Sequence, residues 1–376
     1  MSGIYIHIPF CKQACNYCNF HFSTSLKYKE DMLTAIGKEM SMQRGYLENT
    51  AVETIYWGGG TPSLLSADEL LRLWDQLQLN FPDQALTEVT LEANPDDLNP
   101  AFLQALKNTP VNRLSIGIQS FQDQDLKYMN RAHNAQQADY AVKLAQDKGF
   151  DNISIDLIYG TPTMSHTQWN DNLQQAVALG VPHISSYALT VEPATALAHA
   201  IKKGTTKAPA DQESAYQFEQ LMDALEEAGY EHYEISNFAQ PGRYARHNTN
   251  YWKNKPYLGL GPSAHSYNGS SRKWNIANNA VYMRSILQEG RLSFEQEQLS
   301  EKDRYNEYIM VSLRTMWGID LDYIAGAFGN QAQQNLLEAA QRFAEKNWIN
   351  ITADSIKLSR QGRLFADRIA SDLFLE

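Results

Sequence analysis

The stretch Tyr5-Ile6-His7-Ile8-Pro9-Phe10-Cys11-Lys12-Gln13-Ala14-Cys15-Asn16-Tyr17-Cys18 decides how the rest of the chain is read. Ile4–Ile8 has the β-branched character of a short strand. It runs directly into a loop carrying Cys11, Cys15 and Cys18, the only 3 cysteines in 376 residues. An odd, clustered set argues against a disulfide framework and fits a reducing compartment. Three thiolates on one loop can converge on one metal centre. Structural zinc wants four ligands, so His7 or His21 would have to complete the set. A four-iron cubane is usually held by four thiolates, and three would leave one iron open to a small molecule.

Working outward, a helical pattern covers about Leu26–Met42. Val52–Trp57 reads as a strand ended by Gly58-Gly59-Gly60-Thr61-Pro62. Ser66 and Glu69 form a capping box that opens a helix to about Leu77. Strands follow at Glu88–Ala93, Arg113–Gln119, Ile153–Tyr159, His183–Leu189 and Tyr230–Ser236, with helices at Asn134–Lys148, Gln168–Leu179 and Asp211–Ala228 between them. Repeated strand–helix alternation implies parallel strands with right-handed crossovers, closed into a barrel or partial barrel. The cysteines, the glycine triplet, Glu92, Gln119 and Asp156 all fall where strands end, on the face where such barrels build their sites.

Ala239–Ser271, rich in Asn, Gly, Tyr and Pro, reads as a structured loop or linker. The expected organisation is a partial barrel over 1–238, a linker or structured loop segment over 239–281 and a smaller domain over 282–376. In the last, Lys302–Met316 and Gln331–Asn347 are helical, Trp348–Ile351 and Ile356–Leu358 form a hairpin, and a final helix follows. That order resembles a winged helix, but its slightly acidic charge gives DNA binding no electrostatic support. A docking or lid role is expected instead.

Composition is that of a soluble globular protein, with 43% hydrophobic and 20% charged residues. The net charge of −11 disfavours phosphate backbones, and with them nucleic-acid partners. No run approaches the ~18 apolar residues of a membrane span. No basic-then-apolar signal segment is visible, so a cytoplasmic location is expected.

The glycine triplet is either a tight turn or a place where backbone approaches a ligand, such as the amino end of an amino acid. Glu92 and Asp156 lie in apolar strands, where an unpaired carboxylate costs several kcal/mol. They either satisfy loop amides or serve a ligand. Arg131 is available to pair with one of them or with a ligand carboxylate, and Gln119 offers both donor and acceptor.

With these residues assembled, the chain resembles the radical SAM proteins. Cys11-x3-Cys15-x2-Cys18 and Gly-Gly-Gly-Thr-Pro are that family's hallmarks. Tyr5–Cys11, Tyr56–Pro62, Ser115–Gln119, Asn130–His133 and Asp156–Gly160 are similar to its coproporphyrinogen-dehydrogenase-like branch. The resemblance implies a [4Fe–4S] cluster on Cys11, Cys15 and Cys18, whose unique iron chelates S-adenosylmethionine (SAM). Tyr5 and Tyr17 would pack near the cluster and adenine. Gly59, Gly60 and Thr61 would line the methionine part, and Glu92, Gln119, Arg131 and Asp156 would complete the SAM site. In that family, one-electron reduction cleaves SAM to methionine and a 5′-deoxyadenosyl radical.

Two roles compete within the branch. The oxygen-independent coproporphyrinogen III dehydrogenase carries a further cysteine two residues after the third, and an N-terminal extension. Here the position is Phe20 and the strand begins at residue 4. Both departures resemble the haem-chaperone (HemW-type) members, as does His247-Asn248-x2-Tyr251-Trp252. The resemblance therefore implies haem as cargo, delivered to haem proteins that include membrane-bound respiratory enzymes. A homodimer and a peripheral position at the inner membrane face are further expectations. His247 and His265 are candidate haem ligands, with Tyr251 and Trp252 as stacking partners. The alternative reading of these residues is a loop-capping histidine and ordinary aromatic packing.

Overall fold

Ile4, Ile6 and Ile8 lie on one face of the first strand and Tyr5 and His7 on the other, and this alternation builds the molecule. The computed structural model describes residues 1–48, 50–82 and 84–375. Strands β1 (Ser2–Ile8), β2 (Val52–Gly59), β3 (Gln84–Ala93), β4 (Arg113–Gln119), β5 (Ile153–Tyr159) and β6 (His183–Ala188) run parallel in that order. Helices connect them, several opened by capping boxes at Ser66, Asn134 and Ser165. Apolar side chains of the strands pack against these helices in one core that includes Ile4, Ile55, Trp57, Leu91, Leu114, Ile116 and Ile155.

The opposite face is polar, unlike an ordinary parallel sheet buried on both sides. The registers Tyr5↔Tyr56, Tyr56↔Thr90 and Thr90↔Arg113 form one row across the sheet. Glu92↔Ser115, Ser115↔Ser154 and Ser154↔His183 form another. These rows line the inside of a partial barrel, where polar groups are tolerated because they bond one another: Ser154 with His183, and His183 with Tyr233.

Two expectations are corrected. Tyr230–Ser236 does not continue the parallel series. It forms a short hairpin, β7 (Glu231–Glu234) and β8 (Asn237–Ala239), with β8 antiparallel to β6. A two-residue connection cannot make a parallel crossover. Nor is 239–281 a linker. It holds helix Arg246–Trp252 and strands β9 (Tyr257–Leu260), β10 (His265–Tyr267) and β11 (Ser271–Asn275), and β9 pairs parallel to β1. With β12 (Phe294–Gln298) the sheet order becomes β12-β11-β10-β9-β1-β2-β3-β4-β5-β6-β8-β7. Buried Glu39, on helix Lys29–Met42, fastens this extension. It accepts from the Gly261 amide, Asn275 Nδ2 and the Tyr282 hydroxyl.

Tyr282 and Ile286 consequently belong to the barrel core, and a separate core begins at Tyr305 instead of 282. There helix Glu301–Leu313, β13 (Ile319–Asp320), helices Leu321–Phe328 and Asn330–Ala344, then β14 (Ile349–Ile351) and β15 (Ser355–Leu358) follow a winged-helix order. This unit covers the β7 edge: the Ile235 amide donates to Arg314 O and the Met316 amide to Tyr233 O. Among the described residues no helix is long and apolar enough to cross a membrane.

Candidate functional site

The cysteine loop leaves β1 and is closed at its base, where the Cys11 amide donates to Ser23 O and the Ser23 amide to Pro9 O. Its far side is tied to Tyr128–Arg131. Gln13 Nε2 donates to Asn130 O, Asn130 Nδ2 donates to Ala14 O, and the Asn16 amide donates to Met129 O. Lys12 pairs with Asp96 and Asp97. All three thiols are free and partly exposed. Burial pushes the Cys11 thiol up to about 11, and Cys18 and Cys15 add to that shift. A thiol holds a metal centre only after losing its proton, so a metal bound here would displace protons that burial helps the thiols keep.

A zinc site finds no fourth ligand here. His7 Nε2 donates to His21 O, so its Nδ1 is the acceptor facing the Tyr5 hydroxyl. His21 Nε2 is bonded to Asn279. Among the described residues no three His, Cys, Asp or Glu side chains close on a single-ion centre. Cys11, Cys15 and Cys18 are the three thiols that a cluster with one open iron would use.

The glycine segment supports this loop more than it lines a ligand. The Gly60 amide donates to Ile8 O and the Thr61 amide to Phe10 O. A Cβ at Gly60 would lie 2.5 Å from Phe10 O. Thr61 is buried and accepts from Asn94 Nδ2. The amides of Gly60 and Thr61 are thus spent on holding the end of β1. Gly59 has φ +106°, and a Cβ there would meet the His7 ring at 2.5 Å.

Beside the loop two groups form. In the first, Glu92 accepts from the Tyr56 hydroxyl at 2.8 Å and the Gly59 amide at 3.2 Å, and Tyr5 stacks on Tyr56. Gly58 leaves the space where these three side chains meet. In the second, Arg131 donates to Cys15 Sγ at 3.2 Å, Asn94 Oδ1 at 2.7 Å and Gly117 O at 2.8 Å, while its buried Nε has no partner among the described residues. Gln119, at φ +65°, folds its amide into the room left by Gly117. Tyr17 packs against the Leu126, Met129 and Ile158 cluster. Arg131 pairs with neither Glu92 nor Asp156 among the described residues; its guanidinium is held by the cysteine loop and β4 instead.

Asp156 lies across the lumen beside Ser185 and Ser115, which hold its pKa down, while burial pushes it up to about 6. Burial likewise raises Glu92 to about 7, against the opposing bond from Tyr56. Sequence reading missed Tyr56, Asn94 and Arg113. Arg113 is 2% exposed, and its nearest carboxylate is that of Glu88, at 3.9 Å. The alternation of polar residues within otherwise apolar strands was the signal that would have found them.

The haem candidates separate. His247 is 2% exposed, with Nδ1 bonded to Thr54 Oγ1 and Nε2 to the Tyr251 hydroxyl, both at 2.8 Å. Its ring stacks on Tyr56 at 5.2 Å. Both nitrogens have partners within the chain, so the ring bridges the added helix to the barrel and presents no unbonded nitrogen. Tyr251, Trp252 and His265 instead line a cavity of about 630 Å³ between the cysteine loop, β9–β10 and helix Glu301–Leu313.

A partial barrel that ends its first strand in three thiols has the architecture of the radical SAM proteins, and the radical SAM superfamily is matched over residues 5–176. The HemN C-terminal domain is matched over 299–365. The chain is 32% identical over 371 residues to the heme chaperone HemW of Bacillus subtilis, covering 98% of each chain. It is 33% identical to HemW of Escherichia coli K12, covering 99% of this chain and 98% of that one. HemW of Mycobacterium tuberculosis is 34% identical over 376 residues, with 99% and 94% covered. In fold it is similar to the E. coli coproporphyrinogen III oxidase (HemN), with a TM-score of 0.84, 22% identity, and 99% and 89% covered. The chain belongs to the HemW heme-chaperone family.

Proposed function

We propose that this chain binds haem and delivers it to haem-requiring proteins, carrying a [4Fe–4S] cluster and SAM as resident cofactors. The observation that carries this reading is likeness to HemW relatives along 98% of the chain, including the C-terminal unit. Phe20, at the place of the dehydrogenase's additional cysteine, supports the chaperone over coproporphyrinogen III oxidation.

Cys11, Cys15 and Cys18 would hold the cluster. Arg131, whose guanidinium holds Cys15 Sγ, would meet the carboxylate of SAM, with Gln119, Glu92 and Asp156 serving its polar parts and Tyr5 and Tyr17 flanking it. When bound, these cofactors supply one-electron chemistry at the mouth of the barrel. The chain's own contribution is positional. Arg131 ties Cys15 to β4 through Gly117 O, so the guanidinium that would meet the ligand carboxylate also holds the cluster loop. Acceptors such as membrane-bound respiratory enzymes, a homodimer, and a cytoplasmic location reaching the inner membrane face belong to the same proposal.

The test is anaerobic reconstitution followed by parallel assays. The chaperone reading expects stoichiometric haem uptake and transfer to an apo-haem protein, with no carbon dioxide release from coproporphyrinogen III. Absence of haem uptake, or clear decarboxylation, overturns it. Pull-down of a haem-loaded sample with solubilised respiratory complexes tests the acceptor class, and sedimentation with and without SAM tests the dimer.

A further inference from the structure

Three histidines line the 630 Å³ cavity: His7, His21 and His265. His7 has both nitrogens engaged and His21 has one. His265 makes no ring hydrogen bond among the described residues, and only burial and nearby charges act on it. We infer that this cavity receives the porphyrin plane of haem and that His265 supplies an axial nitrogen to its iron; the inference rests on the chaperone reading.

The cavity is of small-molecule size and mostly aromatic, with Phe20, Tyr251, Trp252, Tyr257 and Tyr267 in its wall. Its one cationic side chain, Arg272, is already paired with Glu307 at 2.7 Å. Apolar contact and an iron ligand, more than attraction for propionates, must therefore supply the affinity.

The backbone that carries His265 is rigid while its ring is free, which suits a ligand. A Cβ at Gly259 would lie 2.1 Å from His265 O, so only glycine lets β10 return this tightly. The Gly259 amide donates to Ser266 Oγ at 2.9 Å and the Asn275 amide to Ala264 O at 2.9 Å, holding the residue on both sides. Gly261, at φ +98°, packs against His7 O and brings the turn onto β1. The ring itself lies over Trp274, 5.9 Å between centroids at 24°. Tyr5 and His7 border both this cavity and the cluster loop, so cargo there would sit beside the SAM site without occupying it.

The experiment titrates ferric haem and metal-free protoporphyrin IX into cluster-loaded protein, without oxygen, for the parent, His265→Ala and His247→Gln. His265→Ala is expected to weaken haem binding at least about tenfold, since even outer-shell losses at metal sites cost that much. Its Soret band should shift, imidazole should restore it, and protoporphyrin binding should stay unchanged. His247→Gln should leave the haem spectrum as in the parent. If the parent takes up haem and His265→Ala matches it in affinity and spectrum, or if His247→Gln alone alters the spectrum, the ligand assignment is overturned. If the parent takes up no haem, the chaperone reading falls and this inference with it. Retained iron and sulfide, with an unchanged circular dichroism spectrum, separates ligand loss from unfolding.

Discussion

Replacing Glu39 by alanine tests whether strands β9–β11 are structurally part of the barrel. The carboxylate is fully buried and takes bonds from the Gly261 amide at 2.8 Å, Asn275 Nδ2 at 2.7 Å and the Tyr282 hydroxyl. Burial raises its pKa, and these donors act against the rise. Removing it strands three buried donors, each costing roughly 1–3 kcal/mol. The terms share one network and do not add, and deleting a buried charge relieves its own desolvation. The net cost should therefore be on the order of 3–5 kcal/mol. That is a large fraction of the ~5–15 kcal/mol that holds a typical domain. Because the barrel and the C-terminal unit have separate cores, unfolding should show two transitions. The barrel transition should fall by about 10 °C in calorimetry while the C-terminal one stays put. Hydrogen exchange should rise in peptides spanning 257–282, and Glu39→Gln, which keeps one acceptor oxygen, should fall between. A barrel transition within about 2 °C of the parent, with unchanged exchange there, refutes the reasoning.

Gly60→Ala would drive a methyl group into the backbone at Phe10 and Ile8, at 2.5 and 2.8 Å, and displace the cysteine loop. It should cost about 1–3 kcal/mol and lower bound iron after reconstitution, and normal iron content would contradict this account. Cys15→Ala should abolish the cluster while leaving the circular dichroism spectrum intact, because the loop lies outside both cores; iron retained at parental levels would count against the three-thiol site. Glu92 and Asp156 give a pH signature. Their folded pKa values, about 7 and about 6, exceed the unfolded carboxyl value near 4. The folded chain then holds protons the unfolded chain has released, so their contribution is fully present below about pH 4 and is lost as pH rises through 6 and 7. Urea midpoints at about pH 4.5 and 7.5 should differ less in the Glu92→Gln, Asp156→Asn double variant than in the parent, and equal slopes would refute the assignment.

Much of the first half of the chain was readable because its signals are local. Arg113–Gln119 and Ile153–Tyr159 were read to the residue, and Ser66 and Glu69 form the expected capping box. The hairpin at Glu231–Ala239 and the added strands were not readable. Short strands of three to five residues carry too little periodicity, and their pairing depends on distant partners. The helix Leu321–Phe328 also escaped notice, being short and apolar almost throughout.

The amino-acid order alone determined that three thiols leave one strand together, that strands and helices alternate, and that two otherwise apolar strands each carry a carboxylate, although Asp156 stands at the middle of β5 and not at its expected end. Each is a property of neighbours in the chain. Only the tertiary structure decided which histidine is free. His247, the motif residue, is held between Thr54 and Tyr251, whereas His265 has its backbone fixed and its ring unbonded. The difference comes from groups nearly two hundred positions apart meeting across a barrel wall, and no local pattern encodes such a meeting.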